Sequence, residues 1–224
     1  FGYRRQRQMC IRDRSVIGLN HKSANIDIRE KFSFTADSAS LLLRRIKKVR
    51  DILEVIVVST CNRTEIYCES TNGVDDIKNW LLSEKEYESF ARHLYIHQEE
   101  DAIEHLFKVV AGLDSMVIGE SEVLGQVKTA YKIALDNKSI DGKLKRLFEY
   151  SFSVAKNVRT NTDIGGNAIS FMYTSILLIK KIFSTVEEKK CLLIGAGEMT
   201  ELALKYLKSN NVNDITICNR KEEK

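Results

Sequence analysis

The first 70 residues switch between the apolar spacing of a strand and that of a helix. Residues 15–21, SVIGLNH, predict a strand that enters a polar loop. A helix capped by Thr35 or Asp37 is predicted next, because apolar residues recur at helical spacing between basic ones. Its apolar positions are Leu42, Leu43, Ile46 and Val49. Segments 52–60 and 64–70, ILEVIVVST and TEIYCES, predict two strands joined by a short turn.

Beyond residue 70 the pattern becomes helical. Residues 75–98 mix helix and strand signals, and the sequence sets no boundaries there. From residue 100 onward the period is helical, and it predicts helices within 100–117, 120–137, 143–162 and 169–183. The preceding order of strand, helix, strand, strand and helix predicts a small α+β domain with an antiparallel sheet.

The final segment, residues 189–224, changes pattern again. It indicates a strand, a glycine turn, a helix and a second strand, which is the opening half of a nucleotide-binding βαβ unit. A doubly wound sheet needs several further strands. We therefore expect a complete α+β domain at residues 15–160, followed by a truncated α/β Rossmann-type domain at residues 161–224. The boundary falls where the composition shifts, at NTDIGGN, residues 161–167.

Composition and charge narrow the class of protein only slightly. The chain is 43% hydrophobic and 29% charged, which is typical of globular domains. Its net charge of +4 permits a nucleic-acid partner without requiring one. No apolar run approaches the roughly 20 residues of a membrane span, and the N-terminus has no secretory pattern. We expect a cytoplasmic protein that does not enter a membrane.

Two further features come from the N-terminus and the cysteines. Five Arg without periodicity crowd into residues 1–14. This segment is either a basic RNA-binding arm or a non-native or disordered tail, and we leave it out of the fold. The five cysteines show no CxxC pair and no zinc spacing, which fits free thiols in a reducing cytosol and predicts no metal site. They are Cys10, Cys61, Cys68, Cys191 and Cys218.

The turn between the two predicted strands contains a candidate nucleophile, Cys61. A strand-end turn exposes its side chain, and Arg63 could favour the thiolate by Coulomb attraction. Thr60 and Asn62 add hydrogen-bonding groups to the same turn. The alternative is a turn cysteine without a role, and the turn alone does not decide between the two. Cys68 lies on the second strand, where packing is expected.

His105 is the second candidate. On a helical wheel it lies about 150° from the centre of the face formed by Ile103, Leu106, Phe107 and Val110, so it is not expected in the core. It is either a solvated surface histidine or a side chain that projects into a cleft as an acid or base.

The segment 112–126, GLDSMVIGESEVLGQ, is the third candidate. Gly112 and Gly119 break the helices around a polar turn, and Glu122 and Gln126 share a helix face. Gly125 inside that helix costs about 1 kcal/mol relative to Ala, which predicts close approach by a neighbour. An ordinary capped turn between helices remains the alternative.

The fourth candidate is LLIGAGEMT, residues 192–200. Gly195 and Gly197 after a strand let backbone N–H groups approach a pyrophosphate at a helix N-terminus, although Thr200 replaces the third glycine of the fingerprint. Asn219 and Arg220 end the next strand, and a guanidinium there favours the 2′-phosphate of NADP. A doubly wound domain without a dinucleotide is the alternative.

Together these stretches resemble the glutamyl-tRNA reductase family. The segments that carry the resemblance are GLNHKSANIDIREKF, STCNRTEIY, HLFKVVAGLDSMVIGESEVLGQVKTAY and LLIGAGEM with CNR, in the order of the family. The resemblance runs from about Ser15 to the end of the chain. Members often carry proline where Ala24-Asn25 and Ser121 stand here, and the family has a further C-terminal helical dimerisation domain.

The resemblance implies a reaction. Cys61 attacks the ester carbonyl of glutamyl-tRNA and forms a thioester, and NADPH reduces it to glutamate-1-semialdehyde, the first committed product of C5-pathway tetrapyrrole synthesis. His105 matches an important histidine of the family, as the acid or base near the ester. The resemblance also implies a cytoplasmic homodimer in full-length form and channelling to glutamate-1-semialdehyde aminomutase.

The remaining site residues are also implied by the resemblance. The positions that match those holding the glutamyl group are Thr60, Asn62, Arg63, Ser115, Glu120, Ser121, Glu122 and Gln126. The positions that match those binding NADPH are Gly195, Ala196, Gly197, Glu198, Met199, Thr200, Asn219 and Arg220. Arg63 is suited to bind the substrate carboxylate, bidentately where the geometry allows.

Two other functions stay open at this point. One is a tRNA-binding or partner-binding relative without catalysis, which the joint presence of Cys61, Arg63 and His105 disfavours. The other is an unrelated NADP-dependent oxidoreductase that forms a cysteine thioester from a free aldehyde. A requirement for glutamyl-tRNA rather than free glutamate semialdehyde separates them.

Overall fold

A computed structural model of the chain describes residues 13–84, 87, 89–120, 122–162, 164, 171–183 and 185–220. It contains two compact units, Phe1–Gly166 and Asn167–Lys224. None of the helices in these described stretches combines the length and apolarity that a membrane span requires.

The first unit is built on a four-stranded antiparallel sheet. Its strands are β1 (Asp13–Asn20), β2 (Ile52–Ser59), β3 (Arg63–Ser70) and β4 (Tyr95–Gln98), in the order β2-β3-β1-β4. β3 is buried over its whole length, because strands pair with both of its edges and helices pack on the sheet. β-Branched residues such as Val55, Ile56 and Ile66 fill the core between sheet and helices.

Six α-helices complete this unit within the described residues. They are α1 (Ile26–Lys31), α2 (Ala36–Ile46), α3 (Val74–Ser83), α4 (Glu99–Ala111), α5 (Glu122–Asp136) and α6 (Lys143–Asn161), with a 3₁₀ turn at Ala91–His93. Thr35, and not Asp37, caps α2 by accepting the N–H of Ser38. α4 ends at Gly112 in the left-handed conformation, φ 78°, which favours glycine.

Several local predictions need correction. β1 begins at Asp13, so residues 13 and 14 of the expected tail belong to a strand, whereas residues 1–12, with Cys10, lie outside the described residues. The pattern did not place α1 or β4, which are shorter than the windows over which periodicity is measurable. Among the described residues, and apart from the backbone of its own helix, no heavy atom lies within 4 Å of a Cβ built on Gly125, so the expected close neighbour is not found there.

The second unit has the predicted strand–helix–strand order. Helix α7 (Phe171–Ile182) precedes β5 (Cys191–Ile194), α8 (Glu198–Ser209) and β6 (Ile215–Cys218), and β5 pairs with β6 in parallel. Its core is formed by Ile176, Val186, Leu207 and Val212. The predicted fold class, an α+β domain followed by an α/β Rossmann-type segment, is confirmed by this architecture.

Candidate active site

The turn between β2 and β3 presents Cys61 at the surface. Thr60 closes this turn, since its N–H donates to the carbonyl of Arg63 at 2.8 Å. The Thr60 hydroxyl accepts the backbone N–H groups of Asn62 and Arg63, at 3.2 and 3.1 Å. Cys61 is exposed at the centre of this closed loop. The Thr60 hydroxyl therefore satisfies backbone N–H groups within the turn. The thiol of Cys61 is the reactive group of this turn that faces solvent.

Two other elements hold the same turn. Arg29 of α1 donates from Nη1 to the Cys61 carbonyl at 2.9 Å and to Asn62 Oδ1 at 3.0 Å. The backbone N–H of His21, just after β1, donates to the Asn62 carbonyl at 3.0 Å. Arg29 was not predicted as a site residue. A single arginine in a short helix has no sequence pattern that reveals its contacts with a turn more than 30 residues away.

The surroundings of Cys61 disfavour ionisation of its thiol. Partial desolvation raises the pKa of Cys61, and the negative charge of Glu120 raises it further, while Arg29 acts in the opposite direction. Arg63, which the sequence predicted would favour the thiolate, is not among the main influences on this pKa. The cation named among those influences is Arg29, from another element.

Glu120 lies at the end of the loop that follows α4. Burial raises the pKa of its carboxyl, and the charge of Glu122 acts in the same direction, whereas the Ser115 side chain lowers this pKa, although its hydroxyl makes no hydrogen bond within the described residues. The loop is closed by the N–H of Gly119, which donates to the carbonyl of Gly112 at 2.9 Å. The structure thus brings Ser115 near Glu120, and the charge of Glu120 acts on the thiol of Cys61.

Arg63 is turned into the interior instead of toward solvent. Its side chain is 1% exposed, and Nη1 lies 2.7 Å from Glu65 Oε1 and 3.1 Å from Asp114 Oδ2. Nη2 also donates to the backbone carbonyl of Asp114. Lys22 binds the other carboxylate oxygen of Asp114 at 2.5 Å. Asp114 is therefore paired with Arg63, the cation that the sequence predicted would bind a carboxylate, and with the exposed Lys22.

A buried carboxylate, Glu65, organises the groups behind the turn. Glu65 is fully buried and accepts hydrogen bonds from Arg63, Tyr67, Tyr95 and His105. Burial alone would raise the pKa of Glu65, but the Arg63 charge and the His105 hydrogen bond hold it well below its ordinary value. Glu65 was not predicted as a site residue, since an acidic residue within a strand usually faces solvent.

His105 belongs to this buried network, and the expectation that it lies outside the core is wrong. The side chain is 9% exposed, and Nε2 lies 2.8 Å from Glu65 Oε1. Its ring stacks on His97, with the centroids 4.7 Å apart. Ile103 and Phe107, which were assigned to the apolar face of the helix, are only partly buried, so the buried face of α4 lies closer to His105 than the spacing predicted. As the alternative interpretation expected, His105 points toward another element, and its described contacts are with the network and not with Cys61.

The other predicted glutamyl-binding positions are less closely gathered. Glu122 begins α5 and adds its negative charge to the surroundings of Cys61, whereas Gln126 lies one turn further along that helix, partly exposed. Ser121 lies outside the described residues. Cys68 is fully buried beside Ser15, and burial raises its pKa to about 12, so its predicted packing role is confirmed.

The second unit has the features of a dinucleotide cradle. Gly195 adopts φ 109°, which favours glycine, and its N–H donates to the Cys218 carbonyl at 2.7 Å. Gly197 caps α8, and a Cβ built on it would meet no atom of the described residues within 4 Å beyond its chain neighbours, so these residues leave space at this helix N-terminus. Asn219 and Arg220 are exposed directly after β6. These residues fit the pyrophosphate and 2′-phosphate of NADP. Among the described residues, no cluster of His, Cys, Asp or Glu could hold a metal ion.

Comparison with known proteins places this site in a family. The family model described as Glutamyl-tRNAGlu reductase, N-terminal domain, matches residues 17–162, which contain the Cys61 turn and the Glu65 network. The chain belongs to the glutamyl-tRNA reductase family. A second model, Shikimate / quinate 5-dehydrogenase, matches residues 177–224, the part that contains the glycine turn.

The similarity to members of this family extends over nearly the whole chain. The glutamyl-tRNA reductase of Aliivibrio fischeri is 41% identical over 213 residues, covering 93% of this chain and 51% of the relative. That of Psychromonas ingrahamii is 44% identical over 208 residues, covering 92% and 50%. The solved glutamyl-tRNA reductase from Methanopyrus kandleri has a TM-score of 0.64 at 27% identity, covering 95% of this chain and 51% of its own. The chain spans about half the length of these relatives.

Proposed function

We propose that this chain carries the catalytic domain of an NADPH-dependent glutamyl-tRNA reductase, which produces glutamate-1-semialdehyde for tetrapyrrole synthesis. The observation that carries the proposal is the exposed thiol of Cys61, held in a turn that Thr60 and Arg29 fix, in a chain of this family. A nucleophile on a rigid turn can approach an ester carbonyl without reorganising the backbone.

In the first step the sulfur of Cys61 bonds to the carbonyl carbon of the glutamyl ester. The bond from that carbon to the ribose oxygen breaks, and the thiol proton passes to the departing ribose hydroxyl. Because the pKa of Cys61 is raised, this proton must be removed during the attack. Glu120 is suited to accept it, since its own pKa is also raised and its charge acts on the thiol.

Cations beside the turn recognise the substrate. Lys22 and Arg63 would bind its free carboxylate in exchange for Asp114, which they bind in this structure. Thr60, Asn62 and Ser115 supply polar groups around the ester. His105 and Glu65 do not contact the substrate in this proposal. They hold Arg63 in position through the buried hydrogen-bond network.

The second unit supports the reductive half of the proposal. The open cradle at Gly195 and Gly197, with Arg220 at the end of β6, fits NADPH, which supplies a hydride equivalent for reducing the thioester to the aldehyde. Homodimerisation, a cytoplasmic location and channelling to the aminomutase remain predictions. Each involves parts or partners that the described residues do not contain.

The test is covalent capture of the glutamyl group. Incubating the chain with glutamyl-tRNA without NADPH should give a glutamyl adduct on Cys61, detected by intact-mass and peptide mass spectrometry. Cys61→Ser should lose the adduct. The matched control is Cys218→Ser, which removes another exposed thiol and should leave the adduct unchanged.

The outcomes separate the alternatives. A wild-type chain that forms no adduct would support a non-catalytic tRNA-binding relative. Equal reaction with free glutamate semialdehyde, without any need for glutamyl-tRNA, would support an aldehyde oxidoreductase. An adduct that persists in Cys61→Ser would place the nucleophile elsewhere and overturn the proposal.

A further inference from the structure

A basic groove lies between helices α5 and α6. It has a volume of about 460 Å³, and its lining includes the cations Lys128, Lys156 and Arg159 together with Phe152, Ser153 and Thr160. None of the lining residues that the structure describes is acidic. Lys156 and Arg159 lie three residues apart on α6, and the packing of α5 against this helix adds Lys128 to the same surface.

An aromatic ring forms part of the floor of this groove. The Lys128 ammonium lies 5.8 Å from the centroid of the Phe152 ring, and Phe152 packs edge-on against Tyr131 at 5.5 Å. Phe152 is partly exposed, so one part of its ring is held by the helix pair and another faces the groove. Cations beside a fixed aromatic ring are the combination that binds single-stranded nucleic acid, through phosphates and base stacking.

The groove is joined to the loop beside Cys61. Arg159 donates to the backbone carbonyls of Gly119 and Glu120, at 3.1 and 3.4 Å. Glu120 is the residue whose charge raises the pKa of the candidate nucleophile. A nucleic-acid strand that lies in the groove and runs toward Arg159 would therefore reach the loop that carries Ser115 and Glu120.

We propose that this groove binds the sugar–phosphate backbone of the single-stranded 3′ end of the aminoacylated RNA. The inference rests on the proposed function, because an aminoacyl ester at Cys61 must enter still attached to its RNA. Lys128 and Lys156 neutralise phosphates, and Phe152 offers a face to a base. Arg159 fixes the groove against the catalytic loop, so that binding the strand also positions the ester.

The experiment compares two double variants of equal charge. Lys128→Gln/Lys156→Gln removes two groove cations. Lys48→Gln/Lys78→Gln removes two exposed lysines outside the groove lining and is the control. The probe is an RNA stem–loop with a single-stranded CCA 3′ end, and its affinity is measured by fluorescence anisotropy between low and moderate salt.

We expect the groove variant to bind the RNA roughly tenfold more weakly than the control. The slope of log affinity against log salt should fall by about 1.4, since each lost single-strand phosphate contact accounts for about 0.7. Lys128→Arg/Lys156→Arg should restore both values. Equal affinity and slope in the groove and control variants would overturn the proposal. So would displacement of the RNA by a poly-glutamate peptide as efficiently as by unlabelled RNA, which would indicate an acidic protein partner.

A second readout separates this inference from the proposed function. A small glutamyl ester without RNA should modify Cys61 equally in the groove variant and in the control. Loss of RNA affinity in a chain that never acylates Cys61 would retain the groove and reject the reductase. Acylation of Cys61 with unchanged RNA affinity would retain the reductase and reject the groove.

Discussion

The motif STCNRTE contains two regions of opposite character within seven residues. The turn at Thr60–Asn62 exposes a thiol to solvent, whereas Arg63 and Glu65 begin the most buried strand of the sheet. The turn satisfies its own backbone with the Thr60 hydroxyl, and the Cys61 thiol remains exposed to solvent. The strand instead directs its charges at one another and at His105.

This difference shows how one short motif provides both a reactive group and its support. A thiol needs access to substrate, but its position is reproducible only when the residues behind it cannot move. Glu65 provides that rigidity at a cost, because a buried carboxylate is stable only while its donors remain in place. Breaking the network should therefore affect stability first, whereas changing the turn should affect reactivity first.

The largest expected effect comes from removing the buried charge. Glu65→Gln leaves the buried guanidinium of Arg63 without its main partner and should destabilise the first unit by about 3 kcal/mol. Urea unfolding, followed by circular dichroism, measures this change. Glu104→Gln breaks an exposed pair with Lys108 on α4 and should leave the stability nearly unchanged, because solvent screens such pairs. Similar effects of the two substitutions would contradict the role assigned to the network.

The same network predicts an acid dependence with a defined sign. The pKa of Glu65 is lower in the folded protein than in the unfolded chain, so its ionised form stabilises the fold above about pH 4.3. This contribution is lost as the pH falls through the folded-state pKa. The unfolding free energy of the wild type should decrease more steeply below pH 4.3 than that of Glu65→Gln. Parallel pH profiles would be evidence against it.

A second expected effect contrasts two cysteines of one hairpin. In the native chain, iodoacetamide should label Cys61 at least about a hundredfold faster than Cys68, which is fully buried. Peptide mass spectrometry over time measures both rates, and labelling in urea provides the control, because unfolding should remove the difference. Comparable native rates would show that the two regions do not differ in access.

The smallest expected effect concerns the ionisation of the thiol. Glu120→Gln removes a negative charge beside Cys61, so the pKa of this thiol should fall and its alkylation at pH 7 should become severalfold faster. Glu122→Gln should act in the same direction but more weakly. Arg29→Gln should slow the reaction, because Arg29 favours the thiolate. The rate of alkylation as a function of pH measures all three, and a slower Glu120→Gln would refute this electrostatic assignment.

Sequence patterns were informative where the signal is local. Apolar periodicity predicted α4, α5, α6 and the β2–β3 hairpin, since burial of one helix face or of a strand leaves a repeat in the chain itself. The glycine turn before α8 was also predicted from a local signal. A positive φ and close approach of the backbone to another group limit the residue to glycine. Exposure of Cys61 followed from its place at the end of a strand.

What the sequence determined by itself was the identity of the family, the fold class and the thiol at Cys61. Only the tertiary structure decided what surrounds that thiol. The Arg63 side chain lies in the interior and Arg29 contacts the turn instead, His105 is buried, and the packing of α5 against α6 brings Lys128 and Lys156 into one groove. The physical reason is that charge pairing and desolvation depend on distances between residues remote in the chain, for which no local spacing gives a signal.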